Sequence, residues 1–276
     1  MAVWSWDEML YAGSAAYYAS GRFPYPQELA AALRDELGLD GTGRLLDVGC
    51  GPGSLTLLVA PLFAEVVGVD ADAAMLAEAR GRAAWHGVEN AKWAQLRAEE
   101  LPAGLKTFQV ATFAQSFHWM DRPRVASIVR EMLTLEGVWV HVNASTHEGV
   151  GDDAGLPAPA PPHDRIAELV KSYLGPVRRA GRGTLPDGPP GNEEEIMVEA
   201  GFGGPTRLEV GRGRVLGRTE DEIVASVYSR TSSAPHLFGE RLREFEADVR
   251  DLLRGTAPDG CFCEREREIE LVIWRR

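Results

Sequence analysis

The run Leu45-Leu46-Asp47-Val48-Gly49-Cys50-Gly51-Pro52-Gly53 constrains what this chain can fold into more than any other stretch. An apolar pair, an acid and three alternating glycines read as a buried strand entering a sharp turn, with a helix over residues 55–63 directly behind it. Glycine in such a turn lets the backbone bend and lets a ligand approach without meeting a Cβ. The free N–H groups at the start of the next helix would face that ligand.

Residues 4–37 read as two helical pieces. Tyr11, Ala15 and Tyr18 recur at helical spacing, Pro24 and Pro26 interrupt, and Gln27–Leu37 resumes as an amphipathic helix. Arg44–Val48 is the first strand. Behind the glycine turn, Glu65–Asp70 is a short β-branched run ending in an acid, as a buried parallel strand should be. A helix over residues 73–86, with Asp72 as its N-cap, leads to strands at 92–96 and 108–113, a helix at 123–133 and a strand at 138–143. This alternation predicts an α/β fold, a mostly parallel sheet with right-handed crossovers and helices on both faces.

Beyond it, Pro157, Pro159, Pro161 and Pro162 crowd a Pro/Gly-rich insertion in which only residues 164–174 read as helical. Helices are then expected at 193–200, 219–228 and 238–253, and strands at 206–210 and 269–274. The expected organisation is a helical leader or lid over residues 1–40, a nucleotide-binding core over 41–147 and an insertion over 148–192 forming part of a substrate cover. Residues 193–276 complete the sheet and add cover helices.

A formal net charge of −12 argues against a phosphate-backbone binder, so no nucleic-acid partner is expected. Arg178, Arg179 and Arg182 cluster in one loop; a solvated surface is the default reading of such a run, a local basic pocket the sharper one. Cys50, Cys261 and Cys263 form neither a disulfide framework nor a zinc spacing, so no metal is expected. No apolar run reaches membrane-span length and the first eight residues lack signal-peptide order, which predicts a cytoplasmic protein.

The turn identifies the class of ligand. Its third glycine comes one residue too early for a dinucleotide-binding turn, and no Gly-Lys-Ser/Thr follows for a triphosphate loop. Asp70, seventeen residues beyond Gly53 at the end of the second strand, can accept both hydrogen bonds of a ribose diol. A ribose-bearing cofactor without a pyrophosphate fits best.

These residues resemble the class I S-adenosylmethionine-dependent methyltransferases. Leu46-Asp47-Val48-Gly49-Cys50-Gly51-Pro52-Gly53 is similar to their first motif, Val67-Gly68-Val69-Asp70 to their second and Ala98-Glu99-Glu100-Leu101-Pro102 to their third. Ser116-Phe117-His118-Trp119-Met120-Asp121 and the leader Tyr17-Tyr18-Ala19-Ser20-Gly21-Arg22-Phe23-Pro24-Tyr25-Pro26 resemble the branch with ubiquinone-biosynthesis and trans-aconitate-type enzymes. The likeness covers residues 10–145 well. It implies a Rossmann-like seven-stranded sheet with an antiparallel last strand, and S-adenosylmethionine as methyl donor.

It also implies roles for particular positions. Asp47 and the backbone of Gly49 and Gly51 would hold the cofactor's amino-acid part, with Cys50 and Gly53 in the same turn. Asp70 would bind the ribose, with Ala71 beside it and Met75 near the adenine. Ala98 and Glu99 would border the adenine edge, Gln115 would lie beneath the methionine chain, and Tyr18 and Arg22 would close over the cofactor; Trp119 reads equally as a lid of the cofactor pocket or as core. Arg97, Gln109 and Glu136-Gly137 depart from the family pattern, and only Arg97 bears on binding.

Methyl transfer asks the protein mainly to align the reactants and exclude water; a base is needed only when the acceptor carries a proton. His118 is the candidate base, set against a reading as pocket wall. His141, His147, His163 and His236 read as structural by default, and residues 229–235 as a helix-ending turn that could instead recognise a polar or acidic substrate. The sequence thus predicts transfer to a small molecule, most readily at oxygen, by a monomer or homodimer. The alternatives are an NAD(P)-dependent oxidoreductase and a non-catalytic S-adenosylmethionine-binding protein.

Overall fold

The computed structural model describes Asp7 and residues 9–150, 155–180, 183–185, 192–211 and 213–276. They fall into two compact units: a sheet unit of Tyr25–Ala144, Pro190–Gly211 and Glu268–Arg276, and a helical unit of Met1–Pro24, Ser145–Pro189 and Arg212–Arg267.

Helix α1 (Ala15–Gly21) belongs to the helical unit, and α2 (Gln27–Leu37) opens the sheet unit. There follow β1 (Arg44–Val48), α3 (Ser54–Val59), β2 (Glu65–Asp70), α4 (Ala73–Trp85), β3 (Ala91–Gln95), β4 (Phe108–Ala114), α5 (Arg122–Met132) and β5 (Leu133–Asn143). The chain passes through α6 (His163–Leu174), β6 (Arg178–Ala180) and β7 (Gly183–Leu185) of the helical unit, and returns to the sheet unit for α7 (Glu193–Glu199) and β8 (Gly203–Val210). It leaves again for β9 (Val215–Thr219), α8 (Glu220–Tyr228), α9 (Leu242–Thr256) and β10 (Cys261–Arg265), and ends in β11 (Ile269–Arg275) of the sheet.

The sheet has seven strands in the order β3-β2-β1-β4-β5-β11-β8. All neighbours from β3 to β5 are parallel, while β11 runs antiparallel to both β5 and β8. This is the predicted Rossmann-like sheet with an antiparallel last strand. Both faces are buried, and side chains alternate between them with the two-residue period of a strand. Leu46, Val48, Val67, Val69, Ala111, Phe113, Trp139 and Val272 form one core; Leu45, Val66, Val110, Val140, Leu271 and Ile273 form the other. Trp139 is fully buried and stacks on Phe113 at 3.7 Å between ring centroids. Rings of this size dominate a core's energetics.

Helix α2 packs Leu29 and Leu33 into the second of these cores, so it belongs with the sheet and the leader divides after Pro24. The helical unit has its own core: Ile166 and Val170 of α6, Ile223, Val227 and Tyr228 of α8, and Phe245, Val249 and Leu253 of α9. Phe238 stacks on Phe245 at 4.0 Å. Thr219 starts α8 with the predicted capping box, reciprocated by Glu222. Strands β9 and β10, which pair antiparallel, were not expected from the sequence. Of the expected arginine cluster, Arg182 and the side chain of Arg179 lie outside the described residues.

Candidate functional site

Parallel sheets of this kind hold ligands beyond the carboxyl ends of their strands, where the order of strands reverses. Here β1 lies between β2 and β4, and the chain turns from β1 toward β2 on one side and later β4 on the other. The turn at residues 49–53 therefore sits at the switch point.

Two acids support the turn in different ways. Asp47 is 1% exposed, and its carboxylate accepts from Thr56 Oγ1 at 2.5 Å and Thr112 Oγ1 at 2.9 Å. It ties β1 to α3 and β4 from beneath, a support for the turn rather than a group open to a ligand. Asp70, half-buried at the tip of β2, accepts from the Gly51 N–H at 2.8 Å and the Asp72 N–H at 2.9 Å. Its two oxygens keep lone pairs beyond these bonds. Burial raises both carboxyl groups to about 6, against the hydroxyl bonds to Asp47 and the backbone bonds to Asp70.

The glycines divide their work. Gly49 has φ +70°, and a Cβ there would stand 2.5 Å from the Ser116 Cβ. Gly51 has φ +54°, and a Cβ there would meet nothing within 4 Å. Gly51 thus borders open space beside the Asp70 carboxylate. That is a cradle in which a ribose and an amino-acid chain can lie against the backbone.

The remaining predicted residues surround these. Cys50 is buried with the turn, and burial among Asp70 and Asp47 pushes its thiol well above the ordinary range. Ala71 is half-buried, Met75 is buried on α4, and Asp72 caps that helix by accepting from the Ala74 and Met75 N–H groups. Ala98 is buried, and Glu99 Oε1 accepts the Asp121 N–H at 2.8 Å, which ties the loop after β3 to the loop after β4. Gln115 is exposed at the end of β4 with φ +54°, the left-handed region that side chains pay to adopt. His118 and Trp119 are half-buried in the turn that follows, 5.2 Å apart between ring centroids. Burial and the nearby Arg122 lower His118 to about 4.

Tyr18 and Arg22 belong to the helical unit. Arg22 stacks on the Tyr18 ring at 4.6 Å and bonds within that unit to Ser229 and Thr146. His141 is 2% exposed, accepts from Trp139 Nε1 at 2.8 Å and reads as core. His163 pairs with Glu264, and His236 faces the Ala12 carbonyl at 3.1 Å. Sequence reasoning missed Thr56, Thr112 and Ser116, whose hydroxyl donates to the Val48 carbonyl at 2.6 Å. Single hydroxyls acting over separations of 9, 65 and 68 residues leave no local pattern to find.

Residues 45–135 match the family model described as a methyltransferase domain. Residues 45–135 thus carry a methyltransferase domain. An uncharacterized RNA methyltransferase of Thermosynechococcus vestitus is 36% identical over 100 residues, which cover 34% of this chain and 22% of that protein. YcgJ of Bacillus subtilis, an uncharacterized methyltransferase, is 37% identical over 89 residues, 32% of this chain and 34% of YcgJ. The chain spans only 22% to 25% of the length of the first curated relatives it matches. In structure, YcgJ aligns with TM-score 0.52 and 17% identity over 91% of this chain and 99% of its own. The 4+2 cyclase SpnF aligns with TM-score 0.52 and 19% identity over 98% of this chain and 95% of its own. Among the described residues, no helix is long and apolar enough to cross a membrane.

The titrating groups predict how stability depends on pH. Burial lowers His118, His141 and His147 to about 4, 3 and 2, so each must stay neutral while the unfolded chain takes up protons below about 6.5. Their contribution is complete above that pH and is lost as pH falls. Asp47 and Asp70, raised to about 6, act oppositely: the folded state binds their protons first, so acid relieves a burial cost between about 6 and 4. Three histidines with larger shifts outweigh two carboxyls. Stability is expected to fall by on the order of 2 kcal/mol between pH 7 and 5, discounted for the part-exposed rings. Urea midpoints across that range check this, and a rising or flat stability would contradict it.

Proposed function

We propose that the chain transfers a methyl group from S-adenosylmethionine to a small-molecule acceptor, at an oxygen atom. The observation that carries the reading is the open space bordered by Gly51 beside the Asp70 carboxylate. Asp70 would hold the ribose hydroxyls, the Gly49–Gly51 backbone the amino-acid part, and Ala98 and Glu99 the adenine edge. When bound, S-adenosylmethionine supplies an electrophilic methyl on a sulfonium.

The chain's own residues then orient the acceptor and keep water out, effects that between them account for much of such a rate. His118, neutral at pH 7, can accept a proton, but a ring held at about 4 is a weak base. It suits an acceptor oxygen that is already ionised or readily becomes so, a carboxylate or an acidic phenol, better than an aliphatic alcohol. Tyr18 and Arg22 are proposed as further donor-binding residues, on the resemblance of the leader to that branch of the family. The names of several relatives favour RNA as a second reading; the net charge of −12 weighs against it. Free thiols at Cys50, Cys261 and Cys263 suit a reducing, cytoplasmic setting.

Calorimetric titration with S-adenosylmethionine and, separately, with NAD tests the assignment. Saturable binding of the former and no heat from the latter is expected. Tight NAD binding without S-adenosylmethionine binding would replace this reading with that of an oxidoreductase.

A further inference from the structure

One part of the helical unit brings Arg22, Arg230 and His147 together. Arg22 Nε donates to Ser229 Oγ at 2.8 Å, its Nη2 to the Ser229 carbonyl at 2.9 Å and its Nη1 to Thr146 Oγ1 at 3.4 Å. Every one of these partners is neutral. The bonds also draw together two chain segments, so that Arg230, next to Ser229, and His147, next to Thr146, fall into one cluster.

Arg230 Nε is buried with no hydrogen-bond partner, and neither Arg22 nor Arg230 forms an ion pair among the described residues. The acid that acts electrostatically on Arg230 is Glu148, which lies 3.5 Å from Arg267 and 3.9 Å from His147. Arg178, also in electrostatic reach of Arg230, has a buried Nε without a partner. The other acids nearby are engaged: Glu264 pairs with Arg218 and His163, and Glu266 with Arg214.

A guanidinium whose buried Nε lacks a partner costs the fold part of its hydration unless something supplies the opposite charge. The guanidinium is a planar fork of donors matched to the two oxygens of a carboxylate or the oxygens of a phosphate. We propose that the helical unit binds a small-molecule oxyanion, a carboxylate or a phosphate, on Arg230, with Arg22 and His147 beside it. Arg230 makes the direct contact through its open fork. Arg22 is a positioning residue: its bonds to Ser229 and Thr146 hold the two segments, and its charge adds to the field. His147 is kept neutral by burial and by the arginines around it, so it can donate one hydrogen bond without adding charge.

The proposal goes beyond the methyl-transfer reading and does not depend on it.

The test is calorimetry on the full chain without methyl donor, so its outcome is independent of whether S-adenosylmethionine binds. The probes are succinate, benzoate and inorganic phosphate, each against chloride at matched ionic strength. At least one should bind saturably, and the carboxylate and phosphate arms identify the source of the oxyanion. Arg230→Gln should weaken that binding at least tenfold, and Arg230→Lys, which keeps the charge but loses the fork, should do so as well. The thermal midpoint of unliganded Arg230→Gln should not fall below that of the parent, because an unmatched buried charge has been removed. Should Arg230→Gln fail to fold, that stability expectation is overturned and the Lys variant decides the binding. Absence of saturable binding by all three probes, or parent-like binding by the variant that folds, overturns the proposal.

Discussion

Asp70→Ala is expected to weaken S-adenosylmethionine binding by at least about a hundredfold. A ribose diol bonded to a carboxylate makes two charge-assisted hydrogen bonds, each contributing about 1.5–3 kcal/mol, and about 2.7 kcal/mol already corresponds to a hundredfold in affinity. The same substitution frees the Gly51 and Asp72 N–H groups, which the carboxylate holds at 2.8 and 2.9 Å, so the turn also loses a restraint on its shape. Both effects act on binding in the same direction. Asp70 is half-buried and water can reach the freed amides, while removal of a carboxyl that burial raises to about 6 offsets part of their loss. The fold should therefore survive, with a far-ultraviolet circular dichroism spectrum like the parent's. Calorimetry with S-adenosylmethionine and S-adenosylhomocysteine measures the effect. Parent-like affinity would refute the ribose assignment even where methyltransferase activity persisted.

The sheet was legible in the sequence because its strands are buried on both faces. Val66, Val67 and Val69 in β2, and Val138, Val140 and Val142 in β5, form β-branched runs that few other environments select. The acid at the end of β2 and the glycines after β1 were legible for a different reason: their chemistry requires those residue types at those places. Strands β9 and β10 were not legible. Arg218 and Glu264 face each other inside the helical unit at 3.4 Å, each nearly inaccessible, so these strands read as polar where a buried pair should read as apolar. The division after Pro24 was equally hidden, since the amphipathic pattern of α2 says that it has a buried face and not which core that face joins. Asp47 shows the remaining limit. The motif marks it as part of the site, but only the positions of Thr56 and Thr112, the latter 65 residues away, show that both its oxygens are bonded beneath the turn, where burial closes them to a ligand.

Gly49 and Gly51 lie two residues apart in one turn, and alanine at the two positions is expected to fail in different ways. At Gly49 the added Cβ would stand 2.5 Å from the Ser116 Cβ, and Ser116 is itself held by its 2.6 Å bond to the Val48 carbonyl. Something must shift to admit the methyl, and φ +70° adds the cost of a left-handed alanine, about 1–2 kcal/mol. With overpacking of about 1–3 kcal/mol, Gly49→Ala should lose roughly 2–5 kcal/mol of stability, read as a lowered urea midpoint. At Gly51 the added methyl enters open space, so only the backbone cost of φ +54° applies. Gly51→Ala should lose only about 1–2 kcal/mol of stability. Its methyl, however, projects into the cradle beside Asp70 and displaces whatever lies against the backbone there. S-adenosylmethionine affinity should fall by at least about tenfold, as one steric contact of about 1.4 kcal/mol would produce. The pair of measurements separates a glycine that the fold requires from one that the ligand requires. Should Gly51→Ala bind S-adenosylmethionine like the parent, the open space it borders is not where the donor lies.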